Sequence, residues 1–256
     1  MPDTQAYEHP LNERMRSFLR LEHLFHQTDF ELAAGHRWSS RTALNSIIEV
    51  SALVSRAELK NELMKELDRH LQTLESLSRH PGVDAARLGN VRDEVCGLLD
   101  SLKAREGILG FNLRGNELLN AVRQRSAIPA GTCDFDLPSL NFWLSQSAVK
   151  RESDLRRWLS SFSLLRECVS LCLSLVRQSA TSTLEKAISG FFQMTLDGNS
   201  PCQLIRVTVP DQSPYFPEIS GGRHRTTVRF MEQPRADLRA QQSGADIEFE
   251  LHRCTL

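Results

Sequence analysis

The side chains best placed to do chemistry are Arg223, Arg225 and Arg229, which follow Gly221-Gly222 near the carboxyl-terminal end. Side chains alternate across a strand, so Arg223, Arg225, Thr227 and Arg229 share one face while Val228 and Phe230 occupy the other. Successive rungs on one face lie about 7 Å apart. Such a ladder of guanidiniums suits the carboxylates of an acidic peptide or a phosphate backbone. A rival use lies within the same chain. Asp246, Glu248 and Glu250 alternate with Ile247, Phe249 and Leu251, and cross-strand pairing to the arginines would neutralise the ladder. As a nucleic-acid-binding module, the Arg223 to Arg229 face lacks the interleaved aromatics on which bases stack.

Other basic positions carry less information. Arg16 and Arg20 are one helical turn apart, and Arg123 and Arg125 flank Gln124, patterns that ordinarily mark solvated helix faces. Arg56 follows Ser55, which with Glu58 forms an S-x-x-E capping box. A cation in a first helical turn opposes the helix dipole at a cost of about 0.3–1 kcal/mol, which hints at retention for a contact.

Signals for catalysis are absent. His23 and His26 do not form H-E-x-x-H, and there is no G-x-S-x-G, Walker A or G-x-G-x-x-G motif. The six cysteines form no C-x-x-C pair. Cys168 and Cys172 share a helix face with no histidine nearby in sequence, which reads as core packing rather than half a zinc site. We therefore expect no enzyme activity, no metal and no cofactor.

These side chains need a scaffold, and the composition supplies one. The chain has 256 residues, 40% hydrophobic and 25% charged, with a formal net charge of -1. That balance excludes a global field holding it on nucleic acid or an anionic membrane. Leu164 to Val176, the most apolar helical stretch, is too short to span a bilayer and contains Arg166 and Glu167. The first residues lack the basic-then-apolar pattern of a signal peptide, so the expected compartment is the cytoplasm.

The periodicity predicts an α+β fold: an α-helical, dimerising domain over residues 1–184 and a smaller antiparallel β-strand domain over 185–256. Asn12 and Asp84 are expected helix caps, and Ser55 is expected to open a helix after one that ends near Val54. Met64, Leu67, Leu71 and Leu74 form one apolar seam, and Trp158 to Val176 a second stripe on a single helix. Together they offer more apolar face than one small domain needs, which predicts a homodimer through the helical region. Phe192, Met194 and Leu196, then Ile205, Val207 and Val209, alternate on either side of Asp197-Gly198-Asn199 and predict a hairpin.

Several colinear stretches carry a family resemblance. They include Tyr7-Glu-His-Pro-Leu-Asn-Glu-Arg-Met-Arg16, Glu62-Leu-Met-Lys-Glu-Leu-Asp-Arg69, Val122-Arg-Gln-Arg125 through Phe135-Asp-Leu-Pro138, Leu175-Val-Arg-Gln-Ser179, and Pro217-Glu-Ile-Ser-Gly221 with Val228-Arg-Phe-Met231. Over nearly its whole length the chain resembles ZapD, the FtsZ-associated cell-division family. The resemblance implies a cytoplasmic homodimer without catalytic activity, concentrated at the mid-cell division ring. It would dock the carboxyl-terminal tail of FtsZ on basic residues and cross-link FtsZ filaments. Carried over position by position, the tail-binding residues are Arg20, Arg56, Arg225 and Arg229, with Arg223 where relatives also place a basic residue. Glu117 and Asn141 stand where Arg and His are expected in some relatives, which shifts weight to the strand arginines.

Overall fold

Helix boundaries follow local chemistry in the computed structural model, which describes residues 4–55, 58–80, 82–197, 202–222 and 224–256. Strand β1 (Thr4–Pro10) precedes helices α1 (Glu13–Ala34), α2 (Arg37–Val54), α3 (Leu59–Leu77) and α4 (Ala85–Ala104). A 3-10 turn (Phe111–Leu113) leads to α5 (Glu117–Arg125), α6 (Pro138–Ser145), α7 (Ala148–Ser160) and α8 (Ser163–Gln178). Strands β2 (Thr181–Ala187), β3 (Phe191–Thr195), β4 (Leu204–Pro210), β5 (Tyr215–Gly221), β6 (Arg225–Glu232), β7 (Gln241–Gln242) and β8 (Ile247–Cys254) complete an α+β fold.

The Asn12 side chain accepts from Met15 N at 2.9 Å, and Asp84 accepts from Ala86 N and Arg87 N at 3.0 and 3.1 Å, capping α1 and α4 as expected. Ser55 does the opposite of what its motif predicts. It lies in helical φ/ψ at the end of α2, where its hydroxyl donates to Ala52 O at 2.7 Å, and α3 begins at Leu59 without a side-chain cap. A capping hydroxyl needs extended backbone, which Ser55 lacks.

The chain forms two compact units: residues 20–172, and residues 1–19 with 173–256. In the first, α3 packs on α4, with Leu63, Leu67 and Leu74 buried on α3 and Val95, Leu99 and Leu102 buried on α4. The stripe expected on one helix is split between α7 and α8, and Trp158, Phe162, Leu165, Val169 and Cys172 are all buried. Most of both faces is taken up by the chain's own core, while Met64 and Leu71 of the seam stay half-buried. Buried Arg151 supports this core: it donates to Ser40 Oγ at 3.0 Å and to the carbonyls of Gly35, Leu144 and Gln146, leaving little of the guanidinium unsatisfied.

The second unit is built on two antiparallel sheets, β1-β4-β8-β2 and β3-β6-β5, with β7 also pairing β6. Their inner faces share one core: Phe230 and Phe192 pack on Phe249, with ring centroids 5.0 and 5.3 Å away. The expected β3–β4 hairpin does not form. The two strands lie in different sheets, β3 against β6 and β4 against β1 and β8. Alternation specifies which side of a strand faces the core, and both arrangements bury the same side.

The amino-terminal strand was not expected either. Glu8 on β1 accepts from Arg177 Nε and Nη2 at 2.9 and 2.7 Å and from Arg206 Nε at 3.0 Å, joining β1, the end of α8 and β4. β2 reaches β3 through Ser189-Gly190, whose φ angles of 47° and 70° are both positive, as the type I′ form of a two-residue turn requires.

Candidate partner-binding site

Strand β6 alternates as its sequence predicts. Thr226, Val228 and Phe230 are buried, while Arg225 and Arg229 are exposed on the outer face. On one side β3 places Thr195 opposite Arg225, Gln193 opposite Thr227 and Phe191 opposite Arg229. On the other, β5 places Ser220 opposite Thr227, Glu218 opposite Arg229 and Phe216 opposite Met231. Tyr215 and Ile219 pack into the inner core, so Phe216, Glu218 and Ser220 belong to the outer face.

The acidic ladder of β8 is not available to this face, because β8 belongs to the other sheet. Asp246 accepts from Ser189 N at 3.0 Å and pairs with Lys186 at 3.1 Å; those two contacts hold its carboxyl below the usual range. Glu250 accepts from Ser182 Oγ and lies 3.4 Å from His252, and Glu248 stands opposite Lys186. The rival pairing is therefore overturned. Among the described residues neither Arg225 nor Arg229 makes a side-chain hydrogen bond or an ion pair, Glu218 included.

Of the other expected positions, Arg20 is exposed on α1 and makes no side-chain contact of either kind among the described residues, but it falls in the other compact unit. Arg56 and Arg223 lie outside the described residues. Glu117 occupies the first turn of α5, where a carboxylate favours the helix dipole, and Asn141 accepts from Arg37. Arg37 also lies 3.8 Å from Asp134. Their sequence neighbours Trp38, Phe135 and Phe142 are 72%, 85% and 70% exposed, aromatic positions that sequence periodicity did not single out.

Chemistry elsewhere is sparse. Cys168 is buried and its thiol is pushed up to about 12, first by burial and then by neighbouring Glu167, which disfavours a nucleophilic thiolate. Among the described residues no group of three or more His, Cys, Asp or Glu side chains could hold a metal ion. No single helix among them is long and apolar enough to cross a membrane.

Comparison with known proteins defines the class. A family described as cell division protein, ZapD, matches residues 19–229. The chain is 40% identical over 256 residues to a protein of Methylococcus capsulatus named cell division protein ZapD, covering all of both chains. Proteins of the same name from Ralstonia pickettii and Chromobacterium violaceum are 38% and 36% identical over 249 residues, covering 97% of this chain and 98% of theirs. This is a cell division protein. It belongs to the ZapD family.

Proposed function

We propose that this chain binds the carboxyl-terminal tail of FtsZ and, as a homodimer, cross-links FtsZ filaments to promote assembly of the mid-cell ring in the cytoplasm. Arg225 and Arg229 are the principal contacts, with Arg223, Arg20 and Arg56 as further basic positions. One observation supports this reading: among the described residues, two exposed arginines on one strand face have no carboxylate partner, while Glu248 and Glu250, which might have neutralised them, lie on β8 in the other sheet.

A disordered tail pays an ordering cost on docking, so each contact is individually weak. A particle with two sites gains by avidity on a polymer that displays many tails. Two sites are also the minimum needed to bridge filaments. The surface suited to a second copy carries the exposed Trp38, Phe135 and Phe142 with Arg37 and Asp134. Aromatic patches of this exposure mark interaction surfaces, and charges of both signs at its margin suit a self-complementary interface. The chain works by binding alone, without a catalytic step, cofactor, nucleic acid or membrane.

Co-sedimentation with polymerised FtsZ, intact and tail-deleted, tests the reading. Pelleting should require the tail, and equal pelleting with both forms would sink the tail-docking mechanism.

A further inference from the structure

The arginines are only half of the outer face of sheet β3-β6-β5. At the Arg229 end the turn closing β2 onto β3 pairs Ile188 with Phe191 through reciprocal backbone hydrogen bonds of 3.0 Å. Directly bridged residues project to the same side of a sheet, so Ile188 stands beside Phe191, and Phe191 stands opposite Arg229. Ile188 is 58% exposed and Phe191 38% exposed. The next rung continues the apolar character, with half-buried Met231 opposite half-buried Phe216. None of these four belongs to the inner core of the two sheets.

The face is therefore divided. One end offers Arg225 and Thr227 beside Thr195, Gln193 and Ser220, which is cationic and polar. The other offers Arg229, with exposed but unpaired Glu218 across from it on β5, beside an apolar shelf of Ile188, Phe191 and Met231 among the described residues. From this geometry we infer that the bound segment is amphipathic. It sets at least one large apolar side chain on the shelf, next to a carboxylate on Arg229, with further acidic groups toward Arg225. The inference rests on the tail-docking reading and adds its specificity determinant: the shelf selects among acidic segments, which the arginines alone attract without discrimination. The charged contacts are screened by salt over about 8 Å at physiological ionic strength. Apolar burial is not, so the two halves separate experimentally.

The turn that builds the shelf tolerates little change. Gly190 has φ +70°, and a Cβ there would lie 2.5 Å from Ser243 O. Its carbonyl also accepts from Phe230 N at 2.8 Å, which ties the shelf to the strand that carries the arginines.

The test is fluorescence anisotropy with a synthetic FtsZ carboxyl-terminal tail peptide at several salt concentrations. Ile188→Ser with Phe191→Ser should weaken binding about tenfold, the order expected for losing one well-buried apolar contact, with the salt dependence unchanged. Arg225→Gln with Arg229→Gln should weaken binding and flatten the salt dependence. A peptide with its large apolar residues replaced by serine should lose affinity for the unaltered protein to a similar degree, which keeps the test independent of any folding defect. Wild-type affinity of both the Ile188/Phe191 variant and the serine peptide would overturn the shelf while leaving the arginine site standing. Indifference to the arginine changes as well would overturn the docking reading itself. A single-stranded oligonucleotide that displaced the peptide and lost affinity with Phe191→Ser would assign the shelf to base stacking and refute the peptide inference.

Discussion

Replacing Glu8 removes the anchor of the amino-terminal strand, and the size of the loss follows from its surroundings. The Glu8 side chain is 15% exposed and is met by two guanidiniums, Arg177 Nη2 at 2.7 Å and Arg206 Nη2 at 2.9 Å. Breaking one partner out of a buried ion pair costs about 3–5 kcal/mol, because the remaining charge is left uncompensated. Both arginines keep some contact with water, so about 2–3 kcal/mol is the appropriate expectation for Glu8→Gln. At about 2–4 °C per kcal/mol for a chain of this size, the melting temperature should fall by roughly 5–10 °C.

The pH dependence gives a second readout. Burial pushes the Glu8 carboxyl up, but the hydrogen bonds and charges of Arg177 and Arg206 outweigh it and hold the group below its ordinary 4.5. A carboxyl with a depressed folded-state value binds its proton more readily when unfolded. Its stabilisation is thus complete above 4.5 and is lost as pH falls through the depressed value. Thermal melting by circular dichroism from pH 7 to pH 3 should show the wild type losing stability in acid, with Glu8→Gln losing less over the same interval. A variant that melts within 1–2 °C of wild type, about the shift from half a kcal/mol, and has the same acid profile would refute the reasoning.

Two further outcomes follow from particular contacts. Gly190→Ala should destabilise the protein by more than about 1 kcal/mol, since it combines positive φ with a backbone clash; chemical denaturation with an unchanged midpoint would contradict this. Trp38→Ser with Phe142→Ser should shift the particle from dimer to monomer in light scattering at micromolar concentration without lowering the melting temperature, and a persistent dimer would place the interface elsewhere.

Much of this fold was legible where side chains act on their own backbone. Asn12 and Asp84 announced helix starts because a capping carbonyl or carboxylate needs only the next three residues. The alternation of Val228 and Phe230 against Arg225 and Arg229 was legible for the same reason. What failed depended on partners distant in sequence. Ser55 has the chemistry of a helix start, but the preceding helix captured its backbone. β3 and β4 show the right inward faces, yet alternation does not say which strand lies beside which. That ambiguity also left open whether Glu248 and Glu250 neutralised the arginines, a question decided only by the assignment of β8 to the other sheet. β1 carries little apolar alternation and owes its place to pairing with β4 and to the ion pairs of Glu8. Phe191 was missed because the apolar alternation counted from Phe192 runs along the opposite face of the same strand, and Ile188 because it joins Phe191 only across the Ser189-Gly190 turn.

The central claim is that Arg225 and Arg229 serve a partner rather than the fold, and one double variant tests it. Arg225→Glu with Arg229→Glu changes two exposed residues that make no ion pair among the described residues, so stability should move by less than about 0.5 kcal/mol. Tail-peptide affinity should nevertheless collapse, because attraction to the peptide's carboxylates becomes repulsion. Thermal melting and peptide binding measured on the same preparation separate the possibilities. A protein that melts normally and no longer binds the FtsZ tail is the predicted result; a destabilised protein that still binds the tail with wild-type affinity would contradict the account.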